Sequence, residues 1–217
     1  MIGSHVIRPK LGFILEGKSE FVSYPTLVAK IIPGENYVPR VLARGNGAVI
    51  KHLEQHLDDL YKSHGPHKII ITLDLRDALE ARASTDCASL RETLQARAEG
   101  WLDGKKCTEP CGRLPDQIIV IIQVPEFEIW MLTDPDGLIR SGLFETRPDV
   151  PDSDNIDVLI SKPYRRVMEH IRKPHDTKKG ITAKQIMQQI HLDKMRQSSR
   201  SFRKLLKEIL AAYQTGC

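Results

Sequence analysis

The sequence predicts an α/β fold, a mostly parallel sheet flanked by helices and followed by a basic helical segment. Three observations carry this. The runs Leu11–Leu15, Lys68–Leu75 and Gln117–Val124 are apolar at odd and even positions alike, as strands buried on both faces must be. The stretches between them repeat their apolar residues at helical spacing. Charge is divided along the chain: residues 1–160 hold 18 Lys+Arg against 24 Asp+Glu, and residues 161–217 hold 14 against 4. The expected division is an α/β domain over 1–134 and a basic helical extension over 135–217 that packs on it.

The elements follow in order. Leu11–Leu15 is the first strand. Ser19–Ile32 is a helix, with Ser19 available as its cap and Pro33–Gly34 as its stop. Tyr37–Ala43 reads as a strand, and Pro39 puts it at an edge. A turn at Arg44–Gly47 leads to an amphipathic helix over Ala48–Tyr61. Lys68–Leu75 is a strand, and Ala78–Thr85 reads as a polar loop. Cys87–Trp101 is a helix that turns Leu90, Leu94, Ala98 and Trp101 inward, with Gly100 and Gly104 near its end. Lys105–Asp116 reads as a loop. The strand Gln117–Val124 ends at Pro125, and a short helix over Glu126–Asp134 follows. Pro135–Asp157, rich in Pro, Asp, Gly and Ser, reads as the passage to three helices: Pro163–Ile171, Thr182–His191 and Ser199–Tyr213.

Composition narrows the classes. At 217 residues, with 41% hydrophobic and 28% charged residues, the chain can bury a substantial core. No apolar run approaches the roughly 20 residues that span a bilayer, and the first residues lack the apolar core of a signal peptide. A cytoplasmic place is expected, with Cys87, Cys107, Cys111 and Cys217 as reduced thiols. Cys107 and Cys111 have no second pair or neighbouring histidine to complete a zinc set. No P-loop and no GxGxxG follows the first strand.

The chemistry sits where strands end. Ligand sites in open α/β sheets lie at the carboxyl ends of strands. The first run ends on Glu16, with Glu20 four residues on. The second ends on Asp74, with Asp77 close behind. Glu128 follows the third. Carboxylate oxygens at converging strand ends suit Mg²⁺ or Mn²⁺. Each acid also has a structural reading, as a helix cap, a turn residue or a complement to a helix dipole. Arg44, before a helix start, and Arg76, between the two aspartates, are candidate anion contacts. The basic C-terminal quarter is either a surface for phosphates or a solvated helix face. Within Lys173–Lys184, KPHDTKKGITAK, the residues Lys178, Lys179 and Lys184 are equivalent by sequence. We assign Lys178 and Lys184 to stabilising phosphate charge, and Lys179, Arg200 and Arg203 to nucleic-acid contact.

Taken together, the motifs resemble the TOPRIM family. Leu15-Glu16-Gly17-Lys18-Ser19-Glu20 matches a strand ending in EGxxE, and Asp74-Leu75-Arg76-Asp77 stands where the family has DxD, the second acid being either replaced by Arg76 or moved to Asp77. The segment PEFEIWMLTD, Pro125–Asp134, the Arg-Gly-x-Gly turn and SxxSFRKLL, Ser198–Leu206, resemble a branch of stand-alone TOPRIM-like proteins of similar length. Those are related to OLD-family nucleases and are often encoded beside AAA or ABC-type ATPases and phage-defence genes. The resemblance implies a Rossmannoid sheet and a metal-dependent nuclease in phage defence or nucleic-acid processing. It implies Glu16, Glu20, Asp74, Asp77 and Glu128 around Mg²⁺ or Mn²⁺, with Glu16, Asp74 and Glu128 also in catalysis. It implies nucleic acid and an ATPase as partners, and allows an oligomer. The rival expectation is an inactive nucleic-acid- or nucleotide-binding accessory subunit, with Arg76 as the reason. None of Tyr24, Tyr37, Tyr61, Tyr164 and Tyr213 stands in a context that marks a topoisomerase nucleophile.

Overall fold

Four strands form one sheet: β1 (Leu11–Leu15), β2 (Arg40–Leu42), β3 (Lys68–Asp74) and β4 (Gln117–Gln123). Their order is β2-β1-β3-β4 and every pair is parallel. The protein is described here from a computed structural model covering residues 10–35, 37–44, 47–80, 86–108, 114–171 and 179–214; at 77, 80 and 179–181 only the backbone is described. The α/β class and the parallel sheet thus match the sequence reading. β2 lies at an edge, as Pro39 requires, but spans three residues rather than seven.

The pleat divides the strand side chains between two cores. Leu11, Phe13 and Leu15 of β1, Ile70 of β3 and Ile121 of β4 face one core, and Ile14, Ile69, Ile71, Leu73, Ile118, Val120 and Ile122 face the other. This second core is closed by α2 (Ala48–Lys51), α3 (Leu53–His64) and α5 (Cys87–Thr108). The first is closed by α1 (Lys18–Ile31), α6 (Ile129–Leu132), α7 (Pro135–Arg140), α8 (Pro163–Glu169), α9 (Lys179–Gln189), α10 (Leu192–Ser198) and α11 (Arg200–Gln214). The basic C-terminal helices therefore share one apolar interior with α1 and the sheet.

Several helices depart from the reading above. Where one helix was expected over Ala48–Tyr61, the chain breaks at His52 into α2 and α3. Instead of a loop from Ala78, α4 (Leu75–Glu80) begins directly at the end of β3. α5 runs past Gly100 and Gly104 to Thr108, because both glycines face open space and no left-handed residue stops the helix there. The expected helix Glu126–Asp134 shrinks to α6, and α7 occupies part of the stretch read as irregular. α7 forms because Asp134 caps it through Gly137 N–H at 3.0 Å and Pro135 sits at its first turn. α10 buries only Met195 fully, so it leaves little periodic signal.

Candidate functional site

Glu16 leaves β1 at the carboxyl end of the sheet and is 5% exposed. Its Oε2 accepts the Asp74 N–H at 2.9 Å, and its Oε1 accepts the Gly47 N–H at 3.3 Å. The turn before α2 thus spends one of its N–H groups on a carboxylate from the next strand. Arg44, beside that turn, is exposed.

Glu20 is buried in the first turn of α1. The helix is capped at Gly17, not at Ser19 as the sequence suggested, and Glu20 Oε2 folds back on the Gly17 N–H at 2.6 Å. A Cβ at Gly17 would lie 2.6 Å from that same oxygen, so a larger residue there would push the end of the Glu20 side chain aside. Glu20 thus caps α1 through Oε2 and turns Oε1 toward Gln123.

Asp74 stands at the last position of β3, in register with Gln123 of β4. Its Oδ1 accepts the Phe127 N–H at 2.9 Å. Gln123 is fully buried and joins the acids. With its amide oxygen accepting from the Tyr24 hydroxyl at 3.1 Å, its nitrogen donates to Glu20 Oε1 at 2.9 Å and to Asp74 Oδ1 at 2.8 Å. This amide orientation is the one the hydrogen-bond network selects, since the reverse would set oxygen against two carboxylates. Glu20 and Tyr24 share a helix face by their spacing of four. Burial raises the Tyr24 hydroxyl pKa well above its ordinary value, and the charge of Glu20, and more weakly of Asp74, adds to the rise. Tyr24 therefore stays a neutral donor at physiological pH.

The remaining candidates have these further contacts. Arg76 forms an ion pair with Glu126, whose other oxygen accepts the Tyr164 N–H at 2.9 Å. Glu128, 7% exposed, lines a small cavity with Ser19, Met131, Tyr164, Met168 and Thr182. Lys184 is exposed and lines a cleft with Val22, Pro25, Arg40 and Gln188. Val22 and Pro25 lie on the side of α1 opposite Glu20, so Lys184 is not brought to the carboxylates. Arg203 donates to the carbonyls of Asp154, Arg196 and Gln197 at 3.0–3.1 Å, a use that ties α10 to α11. Arg200 is exposed at the start of α11. Lys178 and the side chains of Asp77 and Lys179 lie outside the described residues.

The residues of PEFEIWMLTD are mostly spent on scaffolding. The Trp130 ring packs edge-on against Phe127 and Phe202 with centroids 5.3 and 5.5 Å away, and its Nε1 donates to Ser201 Oγ at 2.9 Å. Ser199, at a variable position of SxxSFRKLL, caps α11 through the Phe202 N–H at 3.1 Å, and Ser201, the motif's second serine, is spent on Trp130. Asp134 accepts from Gly137 N–H, His191 N–H and Arg140.

The residues that sequence reasoning missed are Gln123 and Tyr24. Gln123 carried a signal, being a polar residue in an otherwise apolar strand, at the register position opposite Asp74. Tyr24 carried another in its spacing from Glu20.

Among the described residues, no three His, Cys, Asp or Glu side chains stand close enough to enclose a metal ion, and no helix is long and apolar enough to cross a membrane. Residues 15–210 match the family described as a domain of unknown function (DUF4276), and the chain belongs to that family. No curated protein and no solved structure matches it.

Proposed function

We propose that the protein is a divalent-metal-dependent nuclease of TOPRIM-like architecture that hydrolyses nucleic-acid phosphodiesters. One observation carries the reading: Glu16, Glu20 and Asp74 come from two adjacent parallel strands and the helix after the first, and meet at the carboxyl end of the sheet. The donor set is all oxygen, which fits a hard cation. Magnesium is commonly held by one or two carboxylates, with waters and substrate phosphate completing its shell, so a closed cage of protein ligands is not needed. Glu20 Oε1 and Asp74 Oδ1, both within reach of one amide nitrogen, are the atoms that would hold it.

The bound cation would supply charge neutralisation at the phosphate and a more acidic water. The protein's own groups have distinct tasks. Glu16 is held by two backbone N–H groups and fixes the strand ends relative to one another. Gln123 keeps Glu20 and Asp74 aligned, and Tyr24 fixes the Gln123 amide. Arg76, anchored on Glu126 and 34% exposed at its side chain, is the cation nearest in sequence to Asp74 and would meet the phosphate backbone. The basic C-terminal helices would extend that contact, and an ATPase encoded nearby would be the partner in a defence system.

A second reading has its own support. The Gln123 amide already donates to both carboxylates, so the cluster is internally satisfied in its present form. On that reading the protein binds nucleic acid or nucleotide as an accessory subunit and does not cut.

Plasmid, single-stranded DNA and RNA incubated with Mg²⁺, Mn²⁺ or EDTA separate the two. The nuclease reading expects metal-dependent cleavage that falls at least a hundredfold in Glu16→Ala and Asp74→Ala, with circular dichroism unchanged. Retained binding without a cleavage product under any metal would replace it with the accessory reading.

A further inference from the structure

The edge of β4 carries an observation that the carboxylate cluster does not use. β4 is the outer strand of the sheet. Its pleat turns the backbone groups of Ile118, Val120 and Ile122 away from β3. The side chain of Gln95 closes the first part of this edge. Its Nε2 donates to the Ile118 carbonyl at 2.8 Å, and its Oε1 accepts the Val120 N–H at 3.1 Å. One primary amide thus imitates the peptide group of an added strand. Beyond Gln95, Ile122 and Val124 line a concavity of about 290 Å³ between the starts of α5 and α11.

The walls of this concavity define what would enter it. Arg91, Arg200 and Lys204, all exposed, supply positive charge from both helices. Val158, 72% exposed, offers an apolar contact. Asp157 is 5% exposed. Its Oδ2 accepts the Ser201 N–H at 2.7 Å, while its Oδ1 has no hydrogen-bond partner among the described residues. An extended peptide can continue the backbone pattern that Gln95 imitates, and a phosphodiester backbone has no N–H with which to do so. Among the described residues, no aromatic ring lines the concavity to stack a base.

We infer that the β4 edge is a docking site for an extended acidic segment of a partner protein, which adds as a strand beyond Gln95. Main-chain hydrogen bonds to Ile122 give such a segment its footing, and alternate side chains give it specificity. Its apolar residues meet Val158 and Val124, and its carboxylates meet Arg91, Arg200 and Lys204. The site is independent of whether the carboxylate cluster cuts nucleic acid.

Random decapeptides displayed on phage would be selected against the full chain, and the winners measured as fluorescein-labelled synthetic peptides by polarisation. The expected winners alternate Asp or Glu with Val or Ile. Their affinity should fall at least tenfold for the exposed double variant Arg200→Glu/Lys204→Glu. It should fall as much when the residues facing the edge are N-methylated, which leaves charge and protein untouched and removes only the ladder bonds. Selected peptides without acidic residues, equal affinity for the double variant, or indifference to N-methylation would each overturn the inference. So would displacement of the peptide by a single-stranded twelve-nucleotide DNA at equal concentration, which would assign the concavity to nucleic acid.

Discussion

Two segments follow strand ends at the carboxyl end of the sheet and use acids in opposite ways. In LEGKSE, after β1, the carboxylates of Glu16 and Glu20 are met by backbone N–H groups and by the neutral Gln123 amide. In PEFEIWMLTD, after β4, Glu126 is bound by Arg76 and Asp134 by Arg140. Residue type and position are alike, and the partner differs. An acid paired with arginine has already used its charge to fix the chain. Backbone N–H groups and an amide hold the first pair, and arginines, one of them six residues away and the other fifty, hold the second.

The largest expected effect comes from breaking the scaffold side. Asp134→Ala would leave the N–H groups of Gly137 and His191 and the Arg140 guanidinium without their acceptor. The expected cost is about 3 kcal/mol, read as a lower urea midpoint at an unchanged slope, with cleavage per folded molecule preserved. Conservation of stability in this variant would remove the contrast between the segments.

Gly17→Ala tests the other side. The added Cβ would displace Glu20 Oε2, shifting Glu20 Oε1 away from Gln123. Metal-dependent cleavage should fall about tenfold, while stability changes by no more than about 1 kcal/mol. A variant that loses stability but not activity would make Glu20 a cap and nothing more.

The smallest effect concerns an acid on the far core, Asp58, which joins α3 to α5. Burial, its largest single influence, would raise its pKa, but the bonds from Lys62, Lys105 and Trp101 Nε1 together outweigh it and hold the group at about 2. The folded value lies below the ordinary 3.8, so the contribution to stability is present above pH 4 and is lost as pH falls through about 2. Partial exposure reduces it to about 1 kcal/mol. Urea midpoints measured from pH 5 to pH 2 should fall less steeply for Asp58→Asn than for the unaltered chain, and parallel curves would show that Asp58 behaves as a solvated surface acid.

The central strands were legible because burial on both faces leaves a continuous apolar run, and the bounds of β1, β3 and β4 agree with the reading to within a residue. Helix ends were less so. No residue near His52 announces a break, and α7 depends on Asp134, which the sequence shows only as one acid among many. In the site, Glu16 and Asp74 were visible as acids ending apolar runs. Gln123 showed only as a polar residue ending an apolar run, because an amide carries no charge to attract notice and its role exists only in the register with β3. Lys184 looked equivalent to its neighbours, and only the packing of α9 on α1 sets it opposite Glu20.

The core that holds Tyr24, Gln123 and Trp130 is shared with Phe202, Leu205 and Ile209 of α11. A chain emerging from the ribosome can pair β1 with β3 and bury the far face once α5 has been made. It cannot close the near face until α11 follows, about ninety residues later in synthesis. The carboxylate cluster therefore matures last, and a nascent chain carries its strands well before it carries its site.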